Sequence, residues 1–559
     1  MAEKSAISDS AGKLRQSDTK VIVASSLGTV FEWYDFYLYG LLAVIISAQF
    51  FSGVNETTGF ILALAAFAAG FAVRPFGALV FGRIGDIVGR KYTFLVTMGL
   101  MGASTFAVGL LPSYDSIGVA APLILVGLRL VQGLALGGEY GGAAIYVAEH
   151  APEGKRGLYT SFIQTTATLG LFAALLVVIG LRTWMGEAAF ADWGWRLPFL
   201  LSALLLGISL WIRLQLAESP EFQRMKEEGT TSKAPLSEAF GQWKNLRTVL
   251  IALMGAVAGQ AVVWYTGQFY ALFYLERILK VDGGTANILI ALALAIGTPF
   301  FIVFGWLSDK IGRKPIIMAG CALAAILYYP LFGALTSAAN PALAQASERA
   351  PVTVHADPAT CAFQFDPIGR NAFDTTGCDI VKSALAKAGI PYANASLTGV
   401  VYRPDSRADL TSTTAHLRIG DGLVVVAPSD KARFDAALPG LLAEAGYPAR
   451  ADPEAINKPM IVAILTVLVL LVTMVYGPIA ALLVELFQSR IRYTAMSLPY
   501  HIGNGWFGGF LPTIAFAMVA ATGNIYAGLW YPIGIALLTL VVGLLFLPET
   551  FRRHISHSE

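Results

Sequence analysis

The chain has 559 residues, of which 56% are hydrophobic and only 14% are charged, and its formal net charge is +2. Soluble globular proteins carry about 25% charged residues. The charge deficit here falls in apolar runs near or above the roughly 20 residues that span a bilayer core, which indicates a membrane protein. The small net charge gives no reason to expect a nucleic acid as partner.

The apolar runs predict twelve membrane-spanning helices. In chain order they lie near residues 21–48, 57–81, 92–111, 119–147, 158–181, 195–215, 247–275, 285–306, 316–336, 458–483, 494–520 and 525–547. The first run is too long for the apolar region of a signal peptide, so we interpret it as a retained helix.

A repeated motif divides these spans into two similar halves. Residues 82–91 read GRIGDIVGRK and residues 305–314 read GWLSDKIGRK, and each stretch connects two predicted spans. The sixth and twelfth spans also end alike, at ESP (218–220) and PET (548–550). Such halves are typical of transporters in which one bundle moves against the other. The predicted fold is an all-α membrane protein with two pseudo-symmetric six-helix bundles.

The domain boundaries follow from these spans. The predicted parts are a polar tail (1–20), an N-terminal bundle (21–216), a charged linker (217–246), a C-terminal bundle (247–336 and 458–548), an insert that interrupts it (337–457) and a second tail (549–559). The insert has the composition of a small soluble α+β domain, with helical patterns at 378–388 and 430–445 and strand patterns at 397–402 and 423–426. Its cysteines Cys361 and Cys378 could form a disulfide in an oxidising compartment, and two free thiols are the alternative.

The distribution of Lys and Arg in the short loops predicts the orientation in the membrane. One side carries most of them, namely Arg83, Arg90, Lys91, Lys155, Arg156, Lys310, Arg313, Lys314, Arg490 and Arg492. By the positive-inside rule this side is cytoplasmic. We therefore expect both termini in the cytoplasm and the insert on the outer side.

Five ionisable residues inside the first-half spans are candidate functional residues, because charges within a membrane are costly and usually functional. Glu32 and Asp35 are three residues apart and share a helical face. With Arg129 they are candidates for proton coupling. Arg74, Arg129 and Glu139 are candidates for substrate binding, since a guanidinium group fits a carboxylate. The alternative is that the pairs Asp35–Arg129 and Glu32–Arg74 only hold the bundle together.

The second half supplies polar and aromatic groups instead. Gln260, Trp264 and Gln268 follow one face of the seventh span, and Tyr476 lies in the tenth. An amide that faced lipid would lack hydrogen-bond partners. We therefore expect these four residues to contribute to substrate binding, with packing as the alternative for the aromatic side chains.

The two motif loops are predicted to act as a gate on the inner side. Each copy combines a glycine, a carboxylate and an arginine: Gly82, Asp86 and Arg90 in the first, and Gly305, Asp309 and Arg313 in the second. A carboxylate among basic neighbours can hold one side of a transporter shut in one state.

The motif loops resemble the signature loop of the major facilitator superfamily. The stretches SLGTVFEWYDF (26–36), RPFG (74–77) and RLVQGLALGGEYGGA (129–143) resemble its metabolite:H+ symporter family. The resemblance covers the chain apart from the insert. It implies a multi-pass protein of a bacterial inner membrane, with Asp35 and Arg129 at positions associated with proton coupling. Members of that family import shikimate, α-ketoglutarate, citrate, and proline or betaine, mostly with protons.

The leading hypothesis is a proton-coupled importer of a small organic acid. We expect it to act as a monomer in the lipid bilayer, with the substrate and protons as its partners and without cofactor or metal. The sequence has no ATP-binding motif, so a gradient must supply the energy. Alternatives are a symporter of a zwitterionic osmolyte, a sensor that uses the insert, and a proton-driven exporter. No catalytic constellation of residues is present, so an enzyme is not expected.

Overall fold

The computed structural model describes residues 26, 28–52, 56–214, 218–362, 373–396 and 414–553. Its principal elements, in chain order, are α1 (Gly28–Leu41), α2 (Ala43–Phe50), α3 (Glu56–Ile87), α4 (Arg90–Leu110), α5 (Ala120–His150), α6 (Arg156–Met185), α7 (Arg196–Leu214), α8 (Pro220–Glu227), α9 (Pro235–Phe240), α10 (Trp243–Ile278), α11 (Gly283–Ile311), α12 (Arg313–Ala339), α13 (Pro341–Arg349), β1 (Val352–His355), α14 (Gly377–Ala388), β2 (Ala393–Ala395), β3 (Ala415–Ile419), β4 (Gly422–Val426), α15 (Lys431–Glu444), α16 (Lys458–Leu486), α17 (Arg492–Thr522) and α18 (Ala527–Phe546).

The long helices coincide with the predicted spans. Among the described residues, ten helices are long and apolar enough to cross a membrane, and the pair α1 and α2, bent by 63°, adds an eleventh if it is one span. The 32-residue helix α3 covers the second predicted span. Each predicted span is thus occupied by a helix, while a count of twelve membrane crossings stays a prediction.

Local sequence signals set the helix boundaries. Helix α11 begins after Asp282, whose side chain accepts a hydrogen bond from the Thr285 amide at 3.0 Å, and α16 begins after Asn457, which caps Met460 in the same way at 3.1 Å. The turns after α3 and α11 contain Gly89 and Gly312, with φ of +138° and +107°. Only glycine adopts such values without strain, which is why both motif copies carry a glycine there.

The helices pack as two bundles that meet along two helix pairs. In the first bundle α5 packs against α3 and α4, and α4 packs against α7, while in the second α16 packs against α11 and α12. Between the bundles, α3 contacts α17 and α6 contacts α11. The first glycine of each motif lies at one of these contacts. A Cβ on Gly82 would press against the Thr494 backbone, and a Cβ on Gly305 would overlap Ser161.

The insert contains a four-stranded sheet of order β2-β1-β3-β4, with β1 parallel to β2 and the other pairs antiparallel. Helices α14 and α15 and strand β4 confirm three of the four predicted patterns, and the pattern at 397–402 lies outside the described residues. A disulfide joins Cys361 and Cys378. The insert follows the end of α12 opposite the motif loops. We call that end of the protein the insert end and the other the motif end.

Backbone and side-chain hydrogen bonds attach the insert to the second bundle. The Tyr392 amide donates to the Gly523 carbonyl at 2.9 Å, and the Asn394 side chain donates to the Thr522 carbonyl at 2.9 Å. Near the end of α10, Lys280 Nζ donates to the Lys387 carbonyl at 3.0 Å. These bonds tie the insert to the loops that follow α10 and α17.

Candidate functional site

The two arginines predicted to bind substrate line one small buried cavity in the first bundle. Its wall is formed by Phe36, Gly70, Phe71, Arg74, Met101, Arg129, Gln132, Gly133 and Leu136. The Arg74 guanidinium lies 4.4 Å from the centre of the Phe71 ring and also interacts with the Tyr265 hydroxyl. The Arg129 guanidinium lies 4.2 Å from the centre of the Tyr39 ring and donates to Gln132. The cavity therefore carries two positive charges.

Asp35 lies beside this cavity. The residue is 6% exposed, and its carboxylate interacts with the Thr105 hydroxyl and with the charge of Arg129. Thr105 in turn accepts a hydrogen bond from Gln132 Nε2 at 2.9 Å, and Gln132 accepts one from Arg129. The carboxylate and the guanidinium thus belong to one polar network, so a change in the charge of one affects the other.

Glu32 and Glu139 meet a third charged residue, Arg213. This arginine is buried in the last turn of α7, with Nη2 3.8 Å from Glu32 Oε1 and Nη1 3.8 Å from Glu139 Oε1. Glu32 is therefore ion-paired with Arg213 rather than with Arg74. Glu139 belongs to the same group and does not line the cavity, in contrast to the candidate substrate residues Arg74 and Arg129.

The polar candidates of the second half differ in their surroundings. Gln260 and the Asn504 side chain exchange two hydrogen bonds of 3.2 Å, so this amide has a structural partner. Gln268 is 6% exposed, and its Nε2 has no hydrogen-bond partner among the described residues. The Tyr476 hydroxyl lies 2.7 Å from the Tyr500 hydroxyl.

Aromatic rings join the bundles next to the cavity. The ring centres of Trp33 and Trp264 are 5.6 Å apart, and those of Phe71 and Tyr265 are 6.1 Å apart. Tyr500 also stacks on Tyr140 of α5, with ring centres 3.7 Å apart. Phe71 also lines the cavity, and its ring partner Tyr265 belongs to α10. Helix α10 therefore covers the cavity on the side of the second bundle.

The motif carboxylates each bind the start of a helix in the opposite bundle. Asp86 accepts hydrogen bonds from the backbone amides of Tyr493 and Thr494, at 3.2 and 2.8 Å. Asp309 accepts hydrogen bonds from the amides of Gly157 and Leu158, at 2.9 and 2.8 Å. A helix start offers free amides and positive potential, so each carboxylate joins the two bundles at the motif end by a charge-assisted contact.

Buried ion pairs surround these contacts. Arg313 Nη1 lies 2.6 Å from Asp309, and its Nη2 lies 3.0 Å from Glu485. In the other half, Arg90 Nη1 lies 3.4 Å from Asp86. The Arg90 Nη2 group also donates to the Ser489 carbonyl of the second bundle at 2.7 Å. Further charged contacts cross between the bundles, with Arg492 Nη1 2.8 Å from Glu149 Oε1 and Arg156 Nη1 3.8 Å from Glu485 Oε1.

The second sequence repeat has a structural role in the same region. Glu218 accepts hydrogen bonds from the Lys91 amide at 3.1 and 3.2 Å. Glu549 accepts them from the amides of Arg313 and Lys314, at 2.9 and 3.0 Å. Each glutamate therefore caps the helix that follows a motif loop, which explains why both halves carry it at the end of their last span.

Two residues that contact the candidate site residues were missed by the sequence analysis. Arg213 stands inside the sixth predicted span, and the cost of an intramembrane charge that singled out Arg74 applies equally to it. Tyr493 carries no such signal, because a tyrosine near a helix start is common and its contacts depend on the opposite bundle.

The sequence matches the family described as "Sugar (and other) transporter" over residues 20–245 and 439–559. Residues 142–353 match the family described as "MFS/sugar transport protein". The two matched stretches of the first family leave out most of the insert.

Named relatives are bacterial transport proteins. The α-ketoglutarate permease of Escherichia coli (strain K12) is 38% identical over 347 residues, which are 61% of this chain and 78% of the permease. The proline/betaine transporter of the same organism is 38% identical over 332 residues, which are 57% of this chain and 65% of that protein.

Solved structures with the same fold include that of the proton:xylose symporter XylE bound to 6-bromo-6-deoxy-D-glucose. Its TM-score is 0.60 at 15% sequence identity, and the match covers 96% of this chain and 97% of that chain. A partially occluded inward-open structure of the xylose transporter XylE from E. coli gives a TM-score of 0.54 at 16% identity, over 96% of this chain and 99% of that chain.

Proposed function

We propose that this chain, which belongs to the sugar (and other) transporter family of the major facilitator superfamily, is a proton-coupled importer of a small organic acid. One observation carries the proposal. A buried carboxylate, Asp35, shares a polar network with Arg129, and Arg129 and Arg74 line one cavity between contacts that join the two bundles. Such a site offers a proton acceptor and two anion-binding groups within one enclosed space.

The charge of the cavity favours an anionic substrate. A guanidinium group binds a carboxylate through two parallel hydrogen bonds, and Arg74 and Arg129 both line the cavity. Two buried positive charges next to a single carboxylate at Asp35 leave an excess that an organic anion would neutralise. The name of the α-ketoglutarate permease supports the same class of substrate.

Asp35 is the proposed coupling residue. When an organic anion binds Arg129, it competes with Asp35 for the guanidinium group, and a buried carboxylate without its cationic partner is stabilised by a proton. Proton and anion would then be loaded together. The motif contacts of Asp86 and Asp309 would open the motif end in the next step, so that both are released there.

The remaining features of the proposal concern architecture and location. We place twelve spans in two bundles within the boundaries given by the sequence, with both termini and the motif end in the cytoplasm of a bacterium and the insert outside the inner membrane. We assign the chain a monomeric state and no enzymatic role. A sensor that uses the insert and a proton-driven exporter are the competing functions that the uptake experiment below also tests.

A zwitterionic osmolyte is the second candidate substrate. Aromatic rings bind quaternary ammonium groups by cation–π interaction, and Trp33, Trp264 and Tyr265 cluster next to the cavity. The name of the proline/betaine transporter supports this candidate. A carboxylate at Arg74 and a methylated ammonium group among the rings would satisfy both parts of such a substrate.

Uptake into proteoliposomes tests the proposal. Purified protein is assayed with labelled α-ketoglutarate, shikimate and glycine betaine, with a pH gradient or a membrane potential imposed separately. We expect an acid to accumulate only with a proton gradient, and Asp35→Asn to abolish accumulation while exchange across the membrane continues. Arg74→Gln should weaken binding of carboxylates. Arg247→Gln, which changes an exposed arginine outside the cavity and the motif loops, is the matched control.

Two results would refute the organic-acid proposal. One is full accumulation by the Asp35→Asn variant against a gradient. The other is equal competition by an organic acid and by its uncharged amide. Uptake of glycine betaine without uptake of any acid would establish the second candidate, and absence of uptake with saturable binding would favour a sensor.

A further inference from the structure

The group Glu32, Glu139 and Arg213 lies outside the cavity and has no part in the mechanism described so far. All three residues are buried, at 6%, 0% and 1% exposure. Two negative charges and one positive charge leave the group with one net negative charge when both carboxylates are ionised. A net charge inside a nonpolar bundle is costly unless a proton or a counter-ion neutralises it.

The geometry within the group favours a shared proton. The two carboxyl groups face the same guanidinium group and repel each other when both are ionised, and a hydrogen bond between them requires a proton on one. Arg213 stands 3.8 Å from each, beyond hydrogen-bonding distance, so it supplies charge but no bond in these two contacts. Neither Oε1 nor Oε2 of Glu139 has a hydrogen-bond partner among the described residues, which leaves acceptors that a proton would satisfy.

A residue of the opposite bundle separates this group from the motif end. The fully buried Tyr493 side chain lies between α3 and α5, and its hydroxyl donates to the carbonyl of Gly138, next to Glu139. A Cβ on Gly85 would overlap the tyrosine ring, and one on Gly142 would contact its hydroxyl at 2.5 Å. The glycines of both helices therefore make the slot that holds this ring.

The same tyrosine is part of the gate. Its backbone amide donates to Asp86, so the carboxylate that joins α3 to α17 also holds the ring in its slot. Opening of the motif end, which separates α17 from α3, would withdraw the ring from Glu139. Among the described residues, the other charged or titratable groups that act on the three residues and on Tyr493 are Asp35, Asp86 and Arg90.

From these contacts we propose that Glu32, Glu139 and Arg213 form a second proton-binding site, and that Tyr493 closes it toward the motif end. The idea rests on the proposed proton coupling and extends it. One proton bound between the two carboxylates makes the group neutral, and its release restores one negative charge. Because Glu32 is one helical turn from Asp35, the site would accept the coupling proton on its way to the motif end.

Infrared spectroscopy of the full-length protein in lipid tests the site without any substrate. Buried protonated carboxyl groups give a separate C=O band that shifts when the proton is exchanged for deuterium. We expect the wild type to lose two such bands as the pH rises. Asp35→Asn should remove one, and either Glu32→Gln or Glu139→Gln should remove the other. The exposed Glu227→Gln is the matched control and should leave both bands unchanged.

The role of Tyr493 is tested by the rate of deuterium exchange of the band assigned to Glu139. Tyr493→Phe keeps the ring and loses one hydrogen bond, and we expect exchange about fivefold faster, the factor that one hydrogen bond of typical strength gives. Tyr493→Ala also removes the ring and should exchange faster still. An unchanged rate in Tyr493→Ala would refute the closure.

The outcomes separate this site from the proposed function. The site would be refuted if both bands persisted unchanged in Glu32→Gln and in Glu139→Gln. It would also be refuted if only the band of Asp35 titrated in the wild type, because the group would then be an ionised structural cluster. If the second band titrates while substrate moves without protons, the site stands and the proposed coupling fails.

Discussion

Removal of the Asp309 carboxylate should loosen the closure of the motif end. This side chain accepts two hydrogen bonds from the amides of Gly157 and Leu158 across the boundary between the bundles. A hydrogen bond to a charged group contributes about 1.5–3 kcal/mol, so at the lower value Asp309→Ala costs the closed state about 3 kcal/mol. Since about 1.4 kcal/mol is a factor of ten, the balance should shift roughly a hundredfold toward the open motif end.

The chain offers a control with the same chemistry and no role between the bundles. Asp282 caps α11 by accepting a hydrogen bond from the Thr285 amide at 3.0 Å, within one bundle. Asp282→Ala should cost about 1 kcal/mol of stability, as the loss of a helix cap does, and should leave the balance between conformations unchanged.

Spin labels at Lys155 and Lys310 measure the opening, because both positions are exposed and lie next to the gate in opposite bundles. The free Cys321 is buried and should not react with the label. We expect a longer distance between the labels in Asp309→Ala than in the wild type or in Asp282→Ala. An unchanged distance distribution would refute the view that this carboxylate holds the motif end closed.

Three further outcomes are expected. Replacing Cys361 and Cys378 by serine should lower the stability of the insert by about 3 kcal/mol, the value for closing a loop of about that length, measured by hydrogen exchange of insert peptides. Glu218→Ala and Glu549→Ala should each lower the melting temperature of the protein to a similar degree, since both remove a cap from equivalent helices, and a large difference would contradict equivalent roles. Burial lowers the pKa of His416 below its usual 6.5, so the unfolded insert binds this proton more readily than the folded one. The insert should therefore lose stability as the pH falls below about 6.5, and His416→Leu should remove this dependence, as judged by exchange rates corrected for pH.

The helices were predictable because the signal for each is local. A run of about 20 apolar residues cannot remain in water, and the bilayer requires its backbone to bond internally, so the run itself predicts a helix. The bend of 63° between α1 and α2 was not predicted, because Gly40, which stands just before it, is a single glycine within the apolar run 21–48 and does not by itself predict a bend.

The motif carboxylates lie at contacts between the bundles, and the partners that they meet there were not predicted. Asp86 and Asp309 were expected to act through their basic neighbours, and the structure adds bonds to backbone amides of α17 and α6. Backbone amides are present at every helix start, so the sequence cannot indicate which start a carboxylate will meet. Only the packing of one bundle on the other makes that selection.

The sequence by itself determined the membrane location, the positions of the helices, the division into halves and the residues whose charge is costly in a membrane, because each depends on composition or on repetition along the chain. The tertiary structure decided the partners. It placed Glu32 against Arg213 rather than Arg74, brought Arg74 and Arg129 to one cavity, and inserted Tyr493 between helices of the other bundle. Residues far apart in sequence meet only through helix packing, which depends on the shape and size of many side chains together and leaves no signal in any single segment.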